Sequence, residues 1–150
     1  MKIFIAIILT VISVNAKASN EAGFILGTAT GFSGLLDLQG NRGIDLGLAY
    51  SSNSQFTVYA DYLFTKARSW NLQNMSYPLT MYYGLGARLL NIRSGKNDGK
   101  VAFGPRAPIG VHMEINNPDI SVFAEIAPVL DITPESSVEI MAGLGVRLRF

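Results

Sequence analysis

His112, Glu114, Glu125 and Asp131, with Arg106 and Arg147, are the residues of this chain whose types could do chemistry. His112 is the single histidine. To act as a general base it needs a nucleophilic hydroxyl within hydrogen-bond reach. The His-x-Ser spacing of a deacylating enzyme is absent, because the run reads His112-Met113-Glu114. That spacing favours a histidine satisfied by Glu114. A metal held by His112, Glu114 and Glu125 is conceivable, but one histidine and no cysteine make a poor ligand set. Glu125 and Asp131 with Arg106 and Arg147 read better as a buried ion network that holds strand register than as a catalytic cluster. No catalytic residue, cofactor or metal is expected.

The elements that must position these residues alternate with period two. Ser137 to Phe150 sets Val138, Ile140, Ala142, Leu144, Val146, Leu148 and Phe150 against Glu139, Met141, Gly143, Gly145, Arg147 and Arg149. A strand sends successive side chains to opposite faces, so one face is wholly apolar and the other charged and glycine-rich. Seven earlier segments read the same way: 22–28, 32–38, 44–51, one beginning at Gln55 and running through Phe64, 79–90, 101–115 and 120–131. Turn signals separate them at Ala29-Thr30-Gly31, Gly40 to Gly43, Ser52-Asn53, Ser94 to Gly99, Asn116 to Asp119 and Thr133 to Ser136. The charged parity collects Asp37, Asp45, Asp61, Glu114, Glu125 and Glu139 with Arg88, Arg106, Arg147 and Arg149, and holds no lysine. The interior network is expected to be Asp45, Asp61, Arg88, Arg106, His112, Glu114, Glu125, Glu139 and Arg147. Pro105, Pro108 and Pro128 remove ladder donors and predict bulges or local bends.

Eight antiparallel strands with short connections can close on themselves and abolish both edges. The last strand is then expected to pair with residues 22–28. The interior of such a barrel is filled by side chains, with inner glycines making room for larger neighbours. Two solvents fit the alternation. A periplasmic lipocalin-like carrier would turn the apolar parity inward around a ligand; a membrane barrel would turn it outward. A lysine-free inner parity of arginine forks and carboxylates favours the second. So does Phe150 on the apolar parity, where Val146, Leu148 and Phe150 make a C-terminal insertion signal.

The N-terminal segment agrees. Lys2, the apolar run Ile3 to Val14 and Ala16-Lys17-Ala18 have the order of a secretory signal, with cleavage expected after Ala18 and a cut after Ala16 as the alternative. The domains are therefore a signal peptide, 1–18, and a barrel, 19–150. Removing Lys2 and Lys17 from twelve basic residues leaves ten against eleven acidic ones, which gives no basic footprint for nucleic acid. Without cysteine there is neither a disulfide framework nor a thiolate site. The longest connection, Thr65 to Pro78, faces the periplasm if both termini do. It is read as a hairpin extending past the bilayer, with Trp70 and Leu72 on the outer parity and a tip at Gln73 to Ser76.

The segments Thr30-Gly31-Phe32-Ser33-Gly34, Tyr83-Gly84-Leu85-Gly86-Ala87-Arg88, Pro108-Ile109-Gly110-Val111, Glu125 to Asp131 and Gly143-Leu144-Gly145-Val146-Arg147 carry a resemblance. They resemble a widespread group of small OmpA-like outer-membrane barrels, mostly without an assigned function. Typical members carry a Tyr pair before the final Phe, where this chain has Leu148 and Arg149. The resemblance implies an eight-stranded antiparallel up-and-down transmembrane β-barrel in the cell outer membrane; the missing nucleophile beside His112 gives the expectation of no enzymatic activity. The residues and the resemblance together are read as a structural or interactive role, in envelope integrity or surface interaction. The expected partners are outer-membrane lipids and lipopolysaccharide, with the barrel-assembly machinery during insertion, and the expected state is a monomer. The alternatives are a lipid-modifying outer-membrane enzyme and the lipocalin-like carrier.

Overall fold

The computed structural model describes residues 19–51, 55–70, 77, 79–93 and 95–150, with the backbone alone for 66–70. The expected signal segment, the side chains of Trp70 and Leu72 and the tip at Gln73 to Ser76 lie outside the described residues. Nine strand segments follow one another: β1 Glu21–Gly27, β2 Ala29–Asp37, β3 Arg42–Ser51, β4 Phe56–Trp70, β5 Leu79–Asn91, β6 Val101–Arg106, β7 Ile109–Asn116, β8 Asp119–Asp131 and β9 Ser137–Arg149. All pairings are antiparallel, and β1 also pairs with β9, from Glu21 opposite Arg149 to Gly27 opposite Gly143. Both β6 and β7 lie between β5 and β8, one after the other, so nine segments fill eight places in a closed ring. The fold is an eight-stranded antiparallel up-and-down β-barrel.

Alternation decides what faces where. The apolar parity points out, with Leu85 69% and Leu144 64% exposed. The charged parity points in, where Asp45 is 0% exposed and Arg106 3%. This is the reverse of a carrier barrel with an apolar lumen. Outward aromatics gather at the two ends of the β3–β4 pair. Tyr50 and Phe56 meet at 5.2 Å beside the β3–β4 turn. Phe64 meets Tyr62 at 5.1 Å and Tyr83 at 5.6 Å near the β2–β3 turn. Phe56 and Phe64 are about 27 Å apart along the strand at ~3.3–3.4 Å per residue. A tilt of about 40° projects that to about 20 Å along the barrel axis, near the ~25 Å apolar band of membrane barrels.

Four local expectations are corrected. The first turn is not Ala29 to Gly31 but Thr28, because Ala29 already pairs with Ser51. The Thr28 Oγ1 accepts from the Ala142 N–H at 2.9 Å and the Thr28 N–H donates to the Ala142 carbonyl at 2.9 Å, which anchors the reversal to β9. The second turn is Leu38 to Asn41, since Arg42 and Gly43 already belong to β3. There Gln39, Gly40 and Asn41 take φ of 64°, 66° and 64°, a left-handed region suited to Gly and Asn. The Asp37 carboxylate accepts from the Gln39 N–H at 2.9 Å and starts the turn. The segment 101–115 is not one strand, because it breaks at Ala107-Pro108. Its backbone stays satisfied: the Pro108 carbonyl accepts from Gly84 at 2.9 Å and the Pro128 carbonyl from Ala107 at 3.0 Å.

Pro128 makes no bulge against β9, where it stands in register opposite Ile140. In an antiparallel strand a residue's N and C=O point to the same side. The missing donor of Pro128 therefore faces the β6–β7 break rather than a ladder. The irregularity falls beside it. Arg106 pairs with Val129 while Phe103 pairs with Thr133, which puts one extra residue on the β8 side. The three prolines thus share a single seam in the wall. The described part of the long connection extends β4 to Trp70, opposite Leu79.

Candidate functional site

The inward parity builds its contents from three kinds of residue taken in order: glycine, aromatic ring, guanidinium. Gly47 lies opposite Tyr59, and a Cβ there would strike the Tyr59 ring. Arg106 stacks on that ring, with its guanidinium carbon 4.0 Å from the centroid. Gly145 lies opposite Phe123 in the same way, and Arg147 covers Phe123 at 3.8 Å. Each glycine leaves room for a ring, and each ring stacks against a buried arginine.

The two arginines gather the carboxylates. Arg106 Nη2 donates to Glu125 Oε1, and Nη1 forms an ion pair with Asp61 Oδ2 that lacks hydrogen-bond alignment. The Tyr82 hydroxyl donates to the second Glu125 oxygen at 2.9 Å. Arg147 Nη2 reaches Asp45 Oδ1 at 2.8 Å, and its Nε donates to the Ser33 hydroxyl at 3.0 Å. Glu21 stands 3.9 Å from Arg147 and accepts from the Ser121 hydroxyl at 2.6 Å. Toward the β3–β4 turn, the buried apolar side chains Ala29, Ala49, Ala127, Val129 and Met141 cluster above this centre. Beyond them Arg88 bonds Asp131 at 2.5 Å and Glu139 at 2.6 Å.

The expected network residues therefore fall in three places. Asp45, Asp61, Arg106, Glu125 and Arg147 form the buried centre. Arg88 is buried in the second layer, while the Glu139 side chain is 51% exposed at the mouth. His112 and Glu114 sit at the opposite rim, 3.4 Å from each other, with the Glu114 side chain 47% exposed and held by Arg149 at 2.7 Å. Glu125 is turned toward Arg106 and Tyr82, so His112, Glu114 and Glu125 do not converge on a metal site. Asp45, Asp61 and Glu125 do each bring one oxygen within 4.8 Å of the others. The guanidiniums of Arg106 and Arg147 already engage them. Val146, Leu148 and Phe150 all face outward.

The interior is blocked at its centre. A cavity of about 370 Å³ opens at the end where β1 begins, lined among others by Glu21, Arg42, Tyr82, His112, Glu114 and Arg147. Another of about 200 Å³ opens at the other end beside Asp131 and Glu139. The central network and the alanine-rich cluster lie between them.

Sequence reasoning missed Glu21, Ser33, Tyr59, Tyr82, Ser121 and Phe123 as parts of the network. Glu21 was legible: it continues the inner parity of Gly23, Ile25 and Gly27 by one step. The ring–arginine stacks carry no signal until strand register is known, because each joins residues far apart in sequence.

An all-antiparallel closed barrel with apolar outer and ion-paired inner faces is the class these observations define. The crystal structure of the N-terminal β-barrel domain of Pseudomonas aeruginosa OprF is similar, with a TM-score of 0.61 at 15% identity over 89% of this chain and 96% of that one. That likeness concerns the fold. No family model and no curated protein matches the chain.

Proposed function

We propose that this chain is an outer-membrane β-barrel protein with a side-chain-filled interior and a structural or surface-interaction role rather than an enzymatic one. The observation that carries the reading is the sidedness of the strands. A continuous belt of exposed Leu, Ile, Val and Phe surrounds a core of buried Asp, Glu and Arg. In water an apolar patch of more than a few hundred Å² marks an interaction or membrane surface, and here the belt encircles the molecule. In lipid the same belt is the solvated face, and the pairing of β1 with β9 closes the sheet edge among the described residues. Residues 1–18 would direct export and be removed. Val146, Leu148 and Phe150 would signal insertion by the barrel-assembly machinery. Outer-membrane lipids and lipopolysaccharide would be the partners, around a monomer.

A non-enzymatic role is supported by the site itself. Each buried carboxylate has at least one oxygen on a guanidinium or a hydroxyl, and His112 meets Glu114 at the rim. Cell fractionation with unboiled and boiled electrophoresis tests the reading. The account expects the chain in the outer-membrane fraction, with a folded form of altered mobility that disappears on heating. A detergent-independent, soluble monomer would sink it.

A further inference from the structure

The centre of the barrel is one positive charge short. Asp45, Asp61 and Glu125 are each at most 4% exposed, and Arg106 and Arg147 are each 3% exposed. Three carboxylates thus share two guanidiniums, with one oxygen of each carboxylate within 4.8 Å of the others. Glu21 adds a fourth carboxylate, but it borders the larger cavity and can be solvated from there. An uncompensated charge in a dry interior costs several kcal/mol, so such sites neutralise themselves.

Among the buried side-chain atoms without hydrogen-bond partners at this centre, two on the β3 side mark where the missing charge belongs. One is Asp45 Oδ2, since Arg147 takes only Oδ1. The other is the Tyr59 hydroxyl, which reaches across to β3 over Gly47, one inward position from Asp45. Both Glu125 oxygens are engaged, while Asp61, directly opposite Asp45 on β4, meets Arg106 through Oδ2 alone and leaves Oδ1 without a partner as well.

We infer that the barrel centre binds one further unit of positive charge from solution, a proton or a small monovalent cation, at Asp45 Oδ2 beside the Tyr59 hydroxyl. The charged and titratable groups facing this point come from every side: Glu21 on β1, Tyr59 and Asp61 on β4, Tyr82 on β5, Arg106 on β6, Glu125 on β8 and Arg147 on β9. Ser33 on β2 completes the shell. The inference concerns the closed interior and stands whether lipid or water surrounds the barrel.

The test is urea unfolding of the full chain in zwitterionic detergent, in a His112→Gln background that removes titration at the rim. Folding is followed against pH at constant ionic strength, and at fixed pH in sodium, potassium or a bulky organic cation. If the ion is a proton, the folded-to-unfolded ratio falls by up to about tenfold per pH unit as the proton is released, whichever cation is present. If it is a metal cation, the ratio rises with sodium or potassium but not with the organic cation. Asp45→Asn supplies a neutral side chain of the same shape, so the dependence should vanish while the barrel still folds. Glu139→Gln in the outer layer should keep it. A parent that responds to neither variable, an Asp45→Asn protein that responds as the parent does, or one that cannot fold would each overturn the inference.

Discussion

Replacing Arg106 with methionine would strand two buried carboxylates at once. The guanidinium holds Asp61 and Glu125, and it stacks on Tyr59 at 4.0 Å. Removing one partner of a buried, hydrogen-bonded ion pair costs about 3–5 kcal/mol, mostly from the charge left behind. A desolvated cation–π contact contributes about 1–2 kcal/mol more. The Arg106→Met barrel should therefore lose about 4–7 kcal/mol in urea unfolding from vesicles, read by circular dichroism and by heat-modifiable mobility. If the loss comes from stranded charge, removing the charges should restore most of it. The triple variant Arg106→Met, Asp61→Asn, Glu125→Gln should return to within about 2 kcal/mol of the parent, the remainder being the lost stack. In that variant the amide oxygen introduced by Glu125→Gln would still accept from the Tyr82 hydroxyl. A single variant that costs under about 1 kcal/mol, or a triple variant no more stable than the single, would refute the reasoning.

Gly145→Val would drive its side chain into the Phe123 ring and should cost about 1–3 kcal/mol by overpacking, measured in the same unfolding assay. Leu46 lies midway along β3 between the two outward aromatic groups, so Leu46→Arg should cost about 2–4 kcal/mol in vesicles. A change within about 0.5 kcal/mol would indicate a water-exposed face instead. Phe150→Ala should slow assembly into vesicles without altering the buried network, as followed by the appearance of the heat-modifiable form. N-terminal sequencing of the exported protein should begin at Ser19.

The architecture was largely legible because period two is a strong signal wherever a strand carries several charges. On β8 and β9, Ser121, Glu125, Asp131, Arg147 and Arg149 all fall on one parity. Closure by β1 and β9 followed from the need to remove edges, and the register observed includes Phe24 opposite Val146. Local turns were less legible. Thr28 turns the chain through its hydroxyl contacts with Ala142 on β9, a long-range bond that neighbouring residues do not announce. Pro108 broke a segment whose parity survives the break, so alternation alone could not separate β6 from β7. Within the candidate site, the charges were visible but their partners were not. Arg147 finds Asp45 and Ser33 across more than a hundred residues of sequence, a pairing that barrel closure creates.

The sidedness of the wall decides the account, and this chain suits its measurement because it contains no cysteine. Single cysteines placed in turn along Ile140 to Leu148 can each carry a spin label in lipid vesicles. The account predicts that labels at 140, 142, 144, 146 and 148 collide with lipid-dissolved oxygen and are shielded from a water-soluble relaxation agent, while labels at 141, 143, 145 and 147 meet neither freely. Even-numbered labels that respond to the water-soluble agent along the whole strand would contradict it.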